Sequence, residues 1–325
     1  MEKAYTLLTG ATGFIGSHVA ERLLLDGTWP VIAIVRGGRG YKNTAELAGQ
    51  GVILVRGRFY EPDLLKSIFT SFPIRNVVHI AALTGEGKGN REEYEEVNVR
   101  GTERLLAFSY SSGVERFIYC SSVGVFGTIP AQLPAGLSTR LNPDNVYHQS
   151  KLSAEQEVHH FISKGLGAFI IRPTIAYGQG DTGFPFKLVK MVRRRVLLLP
   201  FRDNRIHLVS VSSLANMFLR LLKADTIQNR VCIAADEGPV LLRDLVDLIH
   251  SFYFGKGYPQ FLKMPNFLFG AFETASRVTR NRLWVGRLQR ISRDWFFDTR
   301  ATDSLIGLQP GNTQQEFLRY LRSLR

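Results

Sequence analysis

Apolar positions in the first half of the chain follow two alternating periods, and the switch between them marks out strands and helices. The short runs TLLT, VIAIV, VILV, VVHIA, RFIYC and AFII are β-branched and almost wholly apolar, as strands buried on both faces are. Between them, stretches around residues 15–26, 62–70, 92–109 and 147–164 repeat their apolar positions at helical spacing. Punctuation agrees with this division: Glu61-Pro62-Asp63 opens one helix and Lys164-Gly165 closes another. Strand and helix in regular succession predict βαβ units on a parallel sheet.

The regularity weakens after about residue 175, where glycine- and proline-containing loops (AYGQGDTGFP), a basic helix (FKLVKMVRRR) and an aromatic, arginine-rich C-terminal stretch follow. The expected division is a dinucleotide-binding part over 1–175 and a mainly substrate-binding part over 176–325, with late strands near 206–235 rejoining the first part.

With 325 residues, 45% of them apolar and 21% charged, the chain can bury a sizeable core. Cys120 and Cys232 sit in apolar runs without paired spacing, which suggests neither a disulfide framework nor a metal site and fits a reducing, cytoplasmic compartment. MEKAY leads straight into a strand, and no apolar run of about 18 residues follows. The expectation is a soluble protein, at most peripheral to a membrane. A net charge of +13 favours anionic partners: a phosphorylated cofactor, a nucleotide-linked substrate or an acidic lipid surface.

The first strand runs into Gly10, Gly13 and Gly16 and then into a helix. In such a turn the first glycine bends the chain, the second admits a pyrophosphate against the backbone and the third lets the helix pack on the strand. Thr12, Phe14 and Ile15 belong to the same cofactor-facing turn. After the second strand, where a carboxylate would bind ribose hydroxyls, stand Arg36, then Arg39 and Lys42. A guanidinium suits a 2′-phosphate, so NADP(H) is favoured over NAD(H).

Tyr147 and Lys151 lie one turn apart on a predicted helix, so both face the same way. A neighbouring ammonium, with an oxidised nicotinamide, brings a phenol toward working pH. Ser122 follows the strand RFIYC, at the sheet edge where open α/β folds bind ligands, and its hydroxyl can hold a substrate oxygen.

TGATGFIGSHV, HIAALTG, NVRGT, YCSSVGVFG, YHQSK and RPTIAYGQGD together resemble the extended short-chain dehydrogenase/reductase family, in its NAD-dependent epimerase/dehydratase group, over about residues 4–235. The resemblance implies a Rossmann-type α/β fold, a doubly wound parallel sheet with a smaller C-terminal substrate-binding portion. It makes Ser122, Tyr147 and Lys151 the catalytic set, with Asn98 assisting a proton-relay water. Ala81, Ala82 and Pro173 would line the cofactor, and Thr84, Thr174 and Arg205 would join Ser122 on the substrate side. A homodimer is the family-level expectation.

Departures from the family pattern narrow the chemistry. Ser122-Val123-Gly124 stands where sugar dehydratases carry Thr-Asp-Glu, so no acid for eliminating water is present and a 4,6-dehydratase is disfavoured. Arg58 replaces the acid after the third strand, and Ser212-Ser213 replace acidic residues later in the chain.

Between Gly257 and Arg293, the cations Lys263, Arg277, Arg280, Arg282, Arg287, Arg290 and Arg293 face a single acid, Glu273, among many aromatics that include Trp284. This stretch reads as a lid with inward aromatics and solvated arginines, as a cap over a lipid-like substrate, or as a peripheral contact with an anionic membrane. Nucleic acid is not expected, since no recognition motif accompanies the charge. The leading expectation is an NADP(H)-dependent reductase or dehydrogenase acting on a ketone/alcohol pair of a nucleotide-linked sugar. The alternatives are a nucleotide-sugar epimerase with retained NAD, a dehydrogenase for a sterol-like or long-chain 3-hydroxy/keto compound, and a non-catalytic NADP-binding regulator.

Overall fold

A computed structural model describes residues 4–37, 44–85, 89–224, 230–278, 282–302 and 311–325. The apolar runs form Tyr5–Thr9 (β1), Val31–Val35 (β2), Ile53–Arg56 (β3), Ile74–His79 (β4), Arg116–Cys120 (β5) and Ala168–Pro173 (β6). Ile175–Tyr177 (β7) and Leu208–Ser210 (β8) pair with each other apart from the main sheet. Val231–Ala234 (β9) lies beside β6. The central sheet has seven parallel strands in the order β9-β6-β5-β4-β1-β2-β3. This is the Rossmann-type doubly wound arrangement. Of the late strands expected near 206–235, the one at 208–210 therefore belongs to a separate ribbon with β7.

Neighbouring residues on a strand point to opposite faces, and both faces here are covered by helices. Leu8 packs with Val19 and Leu23 of Phe14–Asp26 (α1) and with Leu214 and Phe218 of a later helix. Leu7, one residue away, packs with Leu65, Leu105 and Val158 on the other side. All are essentially buried, and each such side chain contributes about 1.5–3 kcal/mol of transfer free energy.

Beyond α1, the helices that matter for the site are Thr44–Gly49 (α2), Pro62–Ser71 (α3), Arg91–Tyr94 (α4), Gly101–Ser111 (α5) and Val146–Ser163 (α6). Pro62 occupies the first turn of α3, where a missing N–H costs nothing. The predicted helix over 92–109 is interrupted, because a π-helical turn, Glu95–Arg100, separates α4 from α5. An Asn90–Glu93 capping box starts α4, each side chain accepting from the other residue's backbone N–H at 2.8 Å. The Asn145 side chain accepts from the backbone N–H of His148 at 2.9 Å and starts α6.

A second core lies in the C-terminal part. Phe184–Arg193 (α7), Val211–Lys223 (α8), Leu242–Phe254 (α9), Asn266–Val278 (α10), Arg282–Ser292 (α11) and Thr313–Ser323 (α12) follow in order. Leu188 and Val192 of α7, Leu245 and Ile249 of α9 and Phe317 and Leu321 of α12 meet there. Asp236, fully buried after β9, ties these pieces together. Its carboxylate accepts from Tyr177 Oη at 2.7 Å, Thr313 Oγ1 at 2.9 Å and the Ser210 N–H at 2.9 Å. Burial nevertheless pushes its acid up to about 6.

The strand order reverses at β1, which is flanked by β2 and β4. In an open α/β sheet this places the ligand crevice outside the carboxyl ends of β1 and β4.

Candidate active site

Gly10 follows β1 with φ of 81°, in the left-handed region. A Cβ there would lie 2.8 Å from the Ala81 nitrogen just beyond β4. A Cβ on Gly16 would collide with the Gly10 carbonyl oxygen. Glycine is thus required where the turn, the end of β4 and the start of α1 crowd together. The Gly13 N–H closes the turn on the Gly10 carbonyl at 2.9 Å. Among the described residues no side chain caps α1, and its first turn holds no acid. Free N–H groups and the positive end of a helix dipole therefore suit the phosphates of a dinucleotide.

A cleft of about 520 Å³ runs from this turn along the sheet edge. Gly10, Thr12, Gly13, Phe14, Ile15 and Gly16 line one end and Arg36 stands at the end of β2. Ala81, Ala82 and Thr84 come from the segment after β4, and Ser122 from the segment after β5. Tyr147 and Lys151 come from α6, and Pro173 and Thr174 from the end of β6. Thr174 Oγ1 is buried and has no hydrogen-bond partner among the described residues.

Some expected residues lie elsewhere. Arg205 does not line the cleft; its guanidinium stacks 4.4 Å from the Phe296 ring centroid. Arg39, Lys42 and Arg280 lie outside the described residues, as do the side chains of Arg277, Arg282 and Trp284. Conversely, Gly57, Phe59 and Tyr60 after β3 line the cleft, in a segment whose sequence stands out only for Arg58 in place of an acid. A glycine closing a strand in front of paired aromatics was the available signal.

At the inner wall, Lys151 is 3% exposed, and its Nζ donates to the Cys120 carbonyl at 2.7 Å while lying 4.7 Å from the Tyr119 ring centroid. Burial lowers its ammonium to about 8, although the Cys120 and Glu155 charges oppose the shift. Burial also raises the Tyr147 phenol, with Cys120 and Tyr94 adding to the effect. In this state Lys151 is turned to a backbone carbonyl and Tyr147 is held protonated, and the lowering expected from the adjacent ammonium is absent. Ser122 Oγ accepts from the Gly124 N–H at 3.0 Å, which leaves its own proton to donate into the cleft.

A buried network holds this wall in place. Asn98, on the π-helical turn, accepts from the Leu83 N–H at 2.7 Å and donates to the Leu83 carbonyl at 3.0 Å and to Ser150 Oγ at 2.9 Å. Its amide thus joins the loop after β4 to the helix that carries Tyr147 and Lys151. Thr9 Oγ1 accepts the Ile80 and Ala81 N–H groups at 3.2 and 3.1 Å, and Thr102 donates to the Asn98 carbonyl at 2.7 Å. Those directions leave His79 to accept from Thr9 at Nδ1 (2.7 Å) and donate from Nε2 to Thr102 (2.9 Å), as a neutral ring. Burial, and then the Lys151 charge, lower the ring's pKa to about 3. Below it Arg172 grips Glu155 bidentately at 2.9 and 2.6 Å, with Ser121 Oγ donating to the same carboxylate.

The NAD dependent epimerase/dehydratase family matches residues 6–234. The chain belongs to this family. It is 28% identical to the UDP-glucose 4-epimerase of Vibrio cholerae, over 95% of this chain and 92% of that protein. A closer match of 36% identity, to the UDP-glucose 4-epimerase of Yersinia pestis, is confined to 47% of this chain and 46% of that one. Among solved structures, the UDP-glucose 4-epimerase of Thermotoga maritima with UDP-glucose superposes with a TM-score of 0.78 at 18% identity, covering 99% of this chain and 98% of that one. The UDP-glucuronic acid 4-epimerase of Bacillus cereus, in complex with NAD, gives 0.74 at 19% identity, covering 98% and 99%. These relatives lend no support to the NADP(H) preference drawn from Arg36, Arg39 and Lys42, and they favour the epimerase alternative over the reductase.

Proposed function

We propose that this family member is a nucleotide-sugar epimerase that retains NAD(H) and inverts a carbinol carbon by oxidising it and reducing it again. One observation carries the reading: Ser122, Tyr147 and Lys151, from the β5 edge and α6, line the same cleft as the uncapped start of α1. A bound oxidised nicotinamide would supply the hydride acceptor and a positive charge that favours the Tyr147 phenolate. Tyr147 takes the sugar hydroxyl proton and later returns it. Ser122 donates its free proton to the sugar oxygen, where negative charge gathers. Lys151, one turn from Tyr147 on α6, would hold the ribose of the dinucleotide and bring its charge toward the phenol on leaving the Cys120 carbonyl, and Asn98 positions α6 through Ser150. The Gly10–Gly16 turn would hold the pyrophosphate.

The relatives named above make UDP-glucose the first substrate to try. With no nucleotide added, the protein is expected to interconvert UDP-glucose and UDP-galactose, seen by anion-exchange chromatography from either side. Tyr147→Phe should slow this by about 10²–10⁴-fold. Arg36, exposed at the adenosine end of the cleft, favours the second reading, an NADP(H)-dependent reductase. Absence of interconversion together with NADPH consumption on a keto sugar would replace the epimerase with it.

A further inference from the structure

Val196, Leu198, Phe201, Phe261, Phe267 and Phe272 are all exposed, Phe261 by 82% and Phe267 by 73%. They belong to one region of the surface. Leu199–Pro200 pairs in parallel with Lys263–Met264, and the Phe201 N–H donates to the Met264 carbonyl at 3.2 Å. The Arg202 N–H reaches the Asn266 side chain at 3.0 Å, at the start of α10. Scattered single apolar residues need no explanation, but a contiguous exposed group marks a contact surface.

The outward face of α10 is unusual for a helix in water. Over Asn266–Ser276 its only charged residue is Glu273, which is buried and accepts from Gln289 at 2.8 Å and from Arg293 at 2.7 Å. Phe267, Gly270, Ala271 and Phe272 are turned outward, while Phe269 packs inside. The stretch expected to act either as an inward-packed lid or as a membrane contact thus splits its aromatics between both faces.

The surroundings carry one sign of charge. Residues 190–202 contain Lys190, Arg193, Arg194, Arg195 and Arg202 and no acid, and residues 254–272 contain Lys256 and Lys263 and no acid. Among the described residues, Asp203 pairs with Arg243 at 2.7 Å, Asp294 pairs with Arg202 at 3.6 Å and Asp247 accepts from the Tyr258 N–H at 2.6 Å, so the acids beside the region each have a partner. Arg195 and Arg193 lie flat on Phe254 and Tyr253, 4.6 and 4.5 Å from the ring centroids, which holds their charge at the surface.

Aromatic side chains directed outward from a helix face without charge over Asn266–Phe272, beside a cluster in which cations outnumber acids among the described residues, match the boundary between headgroups and acyl chains of an anionic bilayer. A protein partner would be expected to need carboxylates ordered in space, whereas a lipid surface needs only charge and depth. Among the described residues no helix is long and apolar enough to cross a membrane, so the contact lies in the interface. We propose that α10 and the paired segments at 196–202 and 261–264 dock this enzyme on anionic phospholipid.

The test is flotation of the full chain with phosphatidylcholine vesicles, with and without phosphatidylglycerol. Wild type should float with the phosphatidylglycerol vesicles and leave them at high salt. Phe267→Ser with Phe272→Ser should weaken binding by about tenfold or more while circular dichroism and melting stay unchanged. Arg194→Glu with Arg202→Glu should weaken it similarly, and only at low salt. Absence of flotation, or equal flotation of the serine variant, would overturn the proposal. So would a wild-type dimer that the serine pair converts to monomer, since a second copy would then cover this face.

Discussion

Tyr147 and Lys151 leave α6 one turn apart and both reach the cleft. Their spacing was readable because it is local, a property of one helix. Replacing Tyr147 with Phe is expected to lower turnover by about 10²–10⁴-fold, with melting temperature and bound nucleotide unchanged, since only the proton carrier is removed. His79 is the opposite case. In VVHIA it is an isolated histidine in an apolar run, and its partners Thr9 and Thr102 lie 70 and 23 residues away. No local pattern announces them. Its pKa falls from 6.5 unfolded to about 3 folded, so the unfolded chain binds the extra proton between those values. Its contribution is full above pH 6.5 and is lost as pH falls toward 3, on the order of 3–5 kcal/mol at the limit. Asp236, raised to about 6, works in the opposite sense, losing stability as pH rises from 3.8 to about 6. The difference between wild type and His79→Gln isolates the histidine. Urea denaturation across this range should show wild type losing more stability on acidification than the variant.

At the scale of elements, the strands were legible because each is a short apolar run, and β2 coincides with VIAIV. The π-helical turn at Glu95–Arg100 was not, since one extra residue in a turn leaves no mark on composition. It carries Asn98, whose side-chain amide is taken up by Leu83 and Ser150. The Glu155–Arg172 pair was equally hidden, for it joins α6 to β6 and both residues are buried. Glu155→Gln strips the charge from one partner and strands a buried guanidinium, so a loss of about 3–5 kcal/mol is expected by urea denaturation. Adding Arg172→Met should recover much of that loss, because the uncompensated charge is gone.

For the whole molecule, alternating strands and helices foretold a parallel sheet, and the glycine turn foretold where its crevice would lie. They could not foretell that residues 208–210 pair with β7, because pairing between distant runs depends on packing of the second core. Nor could composition say which C-terminal aromatics face inward: Phe269 does and Phe267 does not. The cofactor is where sequence reasoning and kinship diverge most, since Arg36 argues for a 2′-phosphate while the family is NAD-dependent. The most direct measurement is to denature protein purified without added nucleotide and identify what is released by mass spectrometry. An epimerase that re-reduces what it oxidises should release NAD(H) in near-stoichiometric amount. Protein that comes out empty and binds NADPH more tightly than NADH, a margin lost in Arg36→Ala, would contradict the epimerase and restore the reductase.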